Sequence, residues 1–302
     1  MSTVKLLSEN PNMGDAAPPQ AKRVHVVKPP DAGDGGAGSV DGTGGTDGEV
    51  RPAALQIEYT STRVVAGALA RLQRTQGILR ADRSELSETF KMLRSQLLQR
   101  MRADAHSLLA VTSPRRIAGK SLVAVNLALA LAAELDSTVL LVDADLSGQG
   151  LQTLFGIEGA PGLSEHLTEA VPISALLLNP GVERFVLLPA GGGGGTLRSA
   201  ELLATRAAQH LFQELKQRYR DRYVVVDLPP LLDAADALAF LPQADTTLMV
   251  VEEHSTTIAD MESVNELMAA FNLVGAVLTR QRPAAGAGRA ARLPRATLSQ
   301  TD

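Results

Sequence analysis

The sequence predicts an α/β fold: a doubly wound, mostly parallel β-sheet with helices on both faces. From about residue 105 onward, short apolar runs alternate with helical stretches, the pattern that successive βαβ units impose. Runs such as Val139-Leu140-Leu141-Val142 and Val224-Val225-Val226 are also continuously apolar, as strands must be when helices cover both faces of a sheet.

The elements follow in chain order. Residues 1–58 are rich in Gly, Pro, Ala and Asp, and hold too little apolar surface to offset the entropy of ordering, so a disordered arm is expected there. Residues 59–104 form a helical segment. Within it Leu86, Phe90, Leu93, Leu97 and Met101 recur at spacings of three and four, and Asp82 with Glu85 three residues on reads as a capping box. Strands are expected at Leu108–Thr112, Thr138–Asp143, Arg184–Pro189, Tyr223–Asp227, Thr246–Glu252 and Gly275–Thr279. Helices are expected at Lys120–Glu134, Ser199–Tyr219, Asp233–Leu241 and Thr257–Asn272. These fill residues 105–281, and residues 282–302, with Arg289, Arg292 and Arg295 among Ala, Gly and Pro, read as a loose basic tail.

The 302 residues suffice for one main core, and the absence of cysteine removes disulfides and thiolate metal sites together. A net charge of -4 gives no global cationic field, so no nucleic-acid partner is expected. The longest apolar stretch, Leu122 to Leu135, is interrupted by Asn126 and falls short of the roughly 20 residues that span a bilayer. It reads as a buried helix, and the expected location is cytoplasmic, which leaves recruitment to the inner face of the membrane by a partner open.

The chemistry concentrates at strand ends. The strand ending at Thr112 runs through Ser113-Pro114-Arg115-Arg116-Ile117-Ala118-Gly119-Lys120-Ser121 into an apolar helix. A loop so placed presents backbone N–H groups and a positive helix end to phosphates, which makes Arg116, Ala118, Gly119, Lys120, Ser121 and Leu122 candidates for ATP or ADP binding. Lys120 would reach the outer phosphates and Ser121 would ligate Mg²⁺. Asp143, with Asp145 two residues on, and Asp227 close the next two apolar strands. Ligands of open α/β sheets bind outside the carboxyl ends of strands, so Asp143, Asp227 and Lys120 should meet in one crevice. Ser121, Asp143 and Asp227 are the candidate Mg²⁺ ligands, and Lys120, Asp143, Asp145 and Asp227 the candidate catalytic set. A lone Asp after a strand is more often a turn residue or cap, but two such acids beside Gly-Lys-Ser are harder to explain that way. Against this, Pro114 stands where a full phosphate loop has glycine and offers no N–H, while β-branched Ile117 resists positive φ.

Taken together, Thr112 to Ser121, Val139 to Gly156 (VLLVDADLSGQGLQTLFG) and Tyr223 to Ala237 (YVVVDLPPLLDAADA) resemble the Walker A, A′ and B motifs of the bacterial tyrosine kinases, whose cytoplasmic domain is a MinD/ParA-like P-loop NTPase with a deviant Walker motif. Gly162-Leu163-Ser164, Leu187 to Gly191 and Glu201-Leu202-Leu203 extend the likeness. Glu88-Thr89-Phe90-Lys91-Met92-Leu93-Arg94 resembles the family's N-terminal helix motif, which implies self-association through Glu88, Lys91 and Arg94. The resemblance implies ATP-dependent tyrosine phosphorylation serving capsule or exopolysaccharide polymerisation and export. It also implies a membrane-spanning chain-length or co-polymerase activator as partner.

Four departures bear on that expectation. Arg116-Ile117-Ala118 replaces a Pro-Gly-acidic stretch, Ser147, Gly148 and Gln149 replace basic residues and proline, and Leu228 replaces threonine. The tyrosines are only Tyr59, Tyr219 and Tyr223, so the family's C-terminal tyrosine cluster has no counterpart after Tyr223. Three readings therefore stay open: a kinase-family enzyme, slowed by its altered loop; a non-catalytic nucleotide-binding scaffold of the same machinery; and a MinD/ParA-like positioning ATPase. The last class carries a signature lysine four residues before Gly119, where this chain has Arg115, and an asparagine near residue 279 or 280 that is absent here.

Overall fold

Alternate residues of each long strand point to opposite sides of the pleat, and in this chain both sets are apolar, so both faces of the sheet require cover. The computed structural model describes residues 6–7, 62–75, 77–79, 84–117, 119–148, 150–192, 198–217 and 221–279. The strands are β1 (Leu6–Leu7), β2 (Arg63–Val64), β3 (Leu108–Thr112), β4 (Thr138–Asp143), β5 (Leu178–Asn179), β6 (Phe185–Leu188), β7 (Arg222–Asp227), β8 (Thr246–Glu252) and β9 (Leu273–Thr279). The helices are α1 (Ala68–Arg74), α2 (Glu85–Ala103), α3 (Lys120–Ala132), α4 (Gly150–Phe155), α5 (Leu163–Glu169), α6 (Ile173–Leu176), α7 (Ser199–Leu203), α8 (Arg206–Gln217), α9 (Ala235–Phe240) and α10 (Ile258–Met268).

Among the described residues the strands form one sheet in the order β1-β9-β8-β3-β7-β4-β6-β5-β2. All pairings are parallel except β1 with β9 and β5 with β6. Leu109, Val111, Val139, Leu141 and Val225 turn to one face, where α1 to α4 cover them. Leu108, Ala110, Leu140, Val142, Val224 and Val226 turn to the other, under α5 and α7 to α10. The doubly wound architecture expected from the apolar runs is the one observed.

The boundaries of β3, β4 and β8 coincide with expectation, and the differences elsewhere have local causes. Arg184 has φ of 57°, a left-handed conformation that ends pairing, so β6 starts at Phe185. A register shift opposite Thr247 and Leu248 lets β9 begin earlier, at Leu273. The single helix expected over Ser199–Tyr219 is two, because the Thr205 hydroxyl accepts from the Ala208 N–H and caps a new start. The cap of α2 is Ser84, whose Oγ accepts from the Ser87 N–H, whereas Asp82 lies outside the described residues. So do the basic tail and the expected disordered arm, apart from Leu6–Leu7, which adds a short antiparallel strand to β9.

Two contacts explain sequence features that periodicity left bare. Asn126, the polar interruption in the apolar run, is buried in α3; its amide accepts from the Leu79 N–H and donates to the Gly77 carbonyl, both at 2.7 Å. It thereby ties the segment before α2 to the helix of the phosphate loop. Gly162 and Pro189 meet where the Leu163 and Ser164 N–H groups donate to the Pro189 and Ala190 carbonyls, and a Cβ on Gly162 would stand 2.0 Å from the Pro189 oxygen. We expect Asn126→Leu to destabilise the protein by about 1–3 kcal/mol for each backbone group left unsatisfied, read from urea unfolding. A variant as stable as wild type would mean that the segment at residues 77–79 is not held through Asn126.

Candidate functional site

The sheet order places β3 between β8 and β7, with β4 beyond β7, so three strand ends that carry functional groups open on one edge. At the end of β3 the chain turns through Ser113 and Pro114. The Ser113 Oγ donates to the Arg115 carbonyl, and the Ser113 and Pro114 carbonyls accept from the Leu231 and Leu232 N–H groups. Gly119 then has φ of 107°, the conformation that glycine adopts most readily, and it delivers the chain into α3 at Lys120. Ile117 is not among the residues of positive φ, and its side chain packs on the apolar core. The resistance expected of a β-branched residue at that place therefore does not arise.

Lys120 is buried, and its Nζ donates to Asp227 Oδ1 at 2.5 Å. The Ser121 hydroxyl is bonded to the same carboxylate. Asp143 faces Asp227 across the β4–β7 register, and Asp145 donates its backbone N–H to Asp143 Oδ1. The other Asp143 oxygen, Oδ2, is buried and has no hydrogen-bond partner. Burial pushes the Asp143 carboxyl well above its ordinary value, and the neighbouring Asp227 charge pushes it further, against the pull of Lys120. Burial also raises Asp227, although Lys120 and Ser121 oppose the shift. The pocket core thus holds two carboxylates and one ammonium.

A cavity of about 420 Å³ opens over this group. Gly119, Lys120 and Ser121 line it from the loop, Asp145 from the β4 end, and Arg116 and Leu122 join them, whereas Asp143 and Asp227 lie buried behind Lys120 and are not part of the lining. Ala118 lies outside the described residues. Thr75, Leu154 and Pro230 also line the cavity; Leu154 and Pro230 fall within the quoted motif segments, whereas Thr75, at the end of α1, is marked by no local motif. Gly150 is a further constraint: a Cβ there would stand 2.9 Å from the Ser121 Oγ. Leu228, in place of a threonine, is fully buried in the core and offers the site no hydroxyl. Among the described residues no helix is long and apolar enough to cross a membrane.

The α2 residues expected to mediate self-association divide. Glu88 and Lys91 are exposed and paired at 2.8 Å. Arg94 instead turns inward, with its guanidinium on the Ala130 carbonyl and on Glu134.

Comparison with known proteins bears on the family and the fold. A family model, ParA, described as NUBPL iron-transfer P-loop NTPase, matches residues 104–274, more than half of the chain. The succinoglycan biosynthesis transport protein ExoP of Rhizobium meliloti is 35% identical over 58% of this chain, which spans 22% of that relative's length. Among solved structures, the chimerical protein CapA2B2 superposes with a TM-score of 0.60 at 27% identity, covering 67% of this chain and 87% of that one. The BceF tyrosine kinase domain gives a TM-score of 0.60 at 25% identity, covering 74% and 92%. The chain belongs to the ParA family of P-loop NTPases, and it is similar to the bacterial tyrosine-kinase domains.

Proposed function

We propose that the chain binds an adenine nucleotide with Mg²⁺ over Lys120 and serves exopolysaccharide or capsule polymerisation and export as a kinase-family domain with slow phosphoryl transfer. The observation that carries the reading is the meeting of Lys120 and Ser121, which line the cavity, with the buried Asp227 and its neighbour Asp143, one of whose oxygens has no partner. That donor set fits Mg²⁺, which takes one or two carboxylates and completes its shell with water and phosphate. Iron transfer, which appears in the family description, finds no thiolate ligand in a chain without cysteine.

Each residue then has a task. Gly119 turns the loop so that the first N–H groups of the thirteen-residue α3 face the cavity, where the helix dipole favours an anion. Asp227 accepts from both Lys120 and Ser121 and so fixes the ammonium and the hydroxyl relative to each other. Asp143 and Ser121 would hold the metal. Asp145, half-buried in the cavity wall, would accept the proton of an incoming hydroxyl. Bound MgATP would supply the transferable phosphoryl group and a cation to neutralise its charge. The loop offers few free donors: Pro114 has no N–H, and the Arg116 N–H is taken by Asp233 at 2.8 Å. Transfer depends on positioned charge more than binding does, so turnover should suffer more than affinity.

Activation by a membrane-spanning chain-length or co-polymerase partner belongs to the same proposal, as does self-association through the exposed Glu88 and Lys91. Arg94, engaged within its own chain, would have to exchange partners to join. A positioning ATPase is less well supported, because Arg115 is turned away from the cavity and paired with Asp233 and Asp260.

Calorimetric titration with ADP tests the reading. Ser121→Ala should weaken binding in Mg²⁺ by about tenfold or more while leaving affinity in EDTA unchanged, and single-turnover transfer should run below about 1 per second. Equal affinities in Mg²⁺ would remove Ser121 from the metal site.

The raised Asp143 carboxyl yields a second expectation. A group whose folded pKa lies above its unfolded value costs the nucleotide-free fold stability as pH rises between the two. Asp143→Asn should therefore stabilise the nucleotide-free protein at neutral pH by about 1–2 kcal/mol and flatten that pH dependence, while losing the Mg²⁺ enhancement of ADP binding. A less stable Asp143→Asn protein would show that the ionised carboxylate is satisfied without a metal.

A further inference from the structure

The phosphate loop carries two arginines, and the structure gives them opposite fates. Arg116 lines the cavity, is exposed, and its guanidinium has no hydrogen-bond partner among the described residues. Arg115 points away from the cavity: its Nε donates to Asp260 Oδ1 at 2.7 Å and its Nη1 to Asp233 Oδ1 at 3.0 Å. Both carboxylates are held in turn. Asp233 Oδ2 accepts the Arg116 backbone N–H. Asp260 Oδ2 accepts the Thr257 N–H and hydroxyl in the capping box that starts α10. The guanidinium thus joins three separate segments: the loop itself, the stretch after β7 and the first turn of α10.

We propose that Arg115, Asp233 and Asp260 form a clamp that positions the phosphate loop from outside, and that Arg116 is the loop arginine that meets the nucleotide phosphates. The clamp answers a physical need. Pro114 offers the loop no N–H, so contacts from outside add to the Ser113 bond and the Gly119 turn in setting its curvature. A planar guanidinium with diverging N–H groups suits two carboxylates at once, which a single ammonium does not. Asp233 also takes the one backbone donor of Arg116, which fixes where that residue's side chain leaves the main chain. The Arg115 side chain is 55% exposed, so the ion pairs contribute little to global stability. Their effect should fall on loop geometry.

This inference rests on the nucleotide site proposed above, and the sign of one measurement separates it from simple electrostatics. Neutralising an acid close to a bound polyanion should tighten binding, whereas breaking a positioning contact should weaken it. MgADP affinity is measured for Asp233→Asn, Asp260→Asn, Arg115→Lys, Arg116→Ala and Thr257→Ala, with unfolding midpoints alongside. We expect Asp233→Asn and Asp260→Asn each to weaken MgADP by about tenfold, with faster amide exchange at Arg116 and Ile117 and little change in midpoint. Arg115→Lys should not rescue. Arg116→Ala should weaken binding without altering loop exchange, and Thr257→Ala, which weakens the same helix start but spares the Arg115 contact, should bind almost as wild type. Tighter or unchanged binding in the two Asp→Asn variants overturns the clamp, as does a Thr257→Ala variant as weak as Asp260→Asn. A wild-type protein that binds no MgADP removes the nucleotide site, and the clamp falls with it.

Discussion

A lysine ammonium inside a protein requires a counter-charge, and the bond between Lys120 and Asp227 is the contact on which this structure turns. It joins the first turn of α3 to the end of β7, two elements that local sequence leaves independent. Removing either partner would bury an uncompensated charge, at a cost of about 3–5 kcal/mol. The same bond sets the Ser121 hydroxyl, because Asp227 receives it too. Under the proposed function stability and chemistry share one carboxylate, and a bound cation would offset the charge of the second acid, Asp143, whose Oδ2 has no partner.

The rest of the fold brings that pair together. Among the described residues nine strands run mostly parallel, so their carboxyl ends gather along one edge, and the strand order opens a crevice beside β3. Helices on both faces exclude water from the sheet, which strengthens every electrostatic contact at its edge. Segments that touch no ligand matter for the same reason. Asn126 anchors the stretch leading to α2, while Arg71 reaches the Thr153 carbonyl and Glu158 and fastens α1 beside α4, from which Leu154 enters the cavity wall.

Much of this was legible in the sequence where a residue's role is local. Continuous apolar runs placed β3, β4 and β8, and Gly-Lys-Ser between a strand and an apolar helix pointed to the candidate site. What could not be read has one common origin, in contacts made across long stretches of chain. Arg94 lies on the outer face by helical spacing, yet its long side chain bends back to Ala130 and Glu134. Arg115 stands where positioning ATPases carry a signature lysine, and only the fold shows its two carboxylates 118 and 145 residues away. Thr257 and Asp260 form the capping box of α10, and the further bond from Asp260 to Arg115 is made across the fold. α1 and the short strands β2 and β5 carry too few residues for any period to show.

Hydrogen exchange with and without MgADP tests the central claim most directly, since it asks where the ligand sits without assuming what it does. The account predicts slower exchange on binding at residues 116–122 and 143–148, where the loop, the start of α3 and the end of β4 surround the cavity. Protection elsewhere, with these segments unchanged, would contradict a nucleotide site built on Lys120 and Asp227.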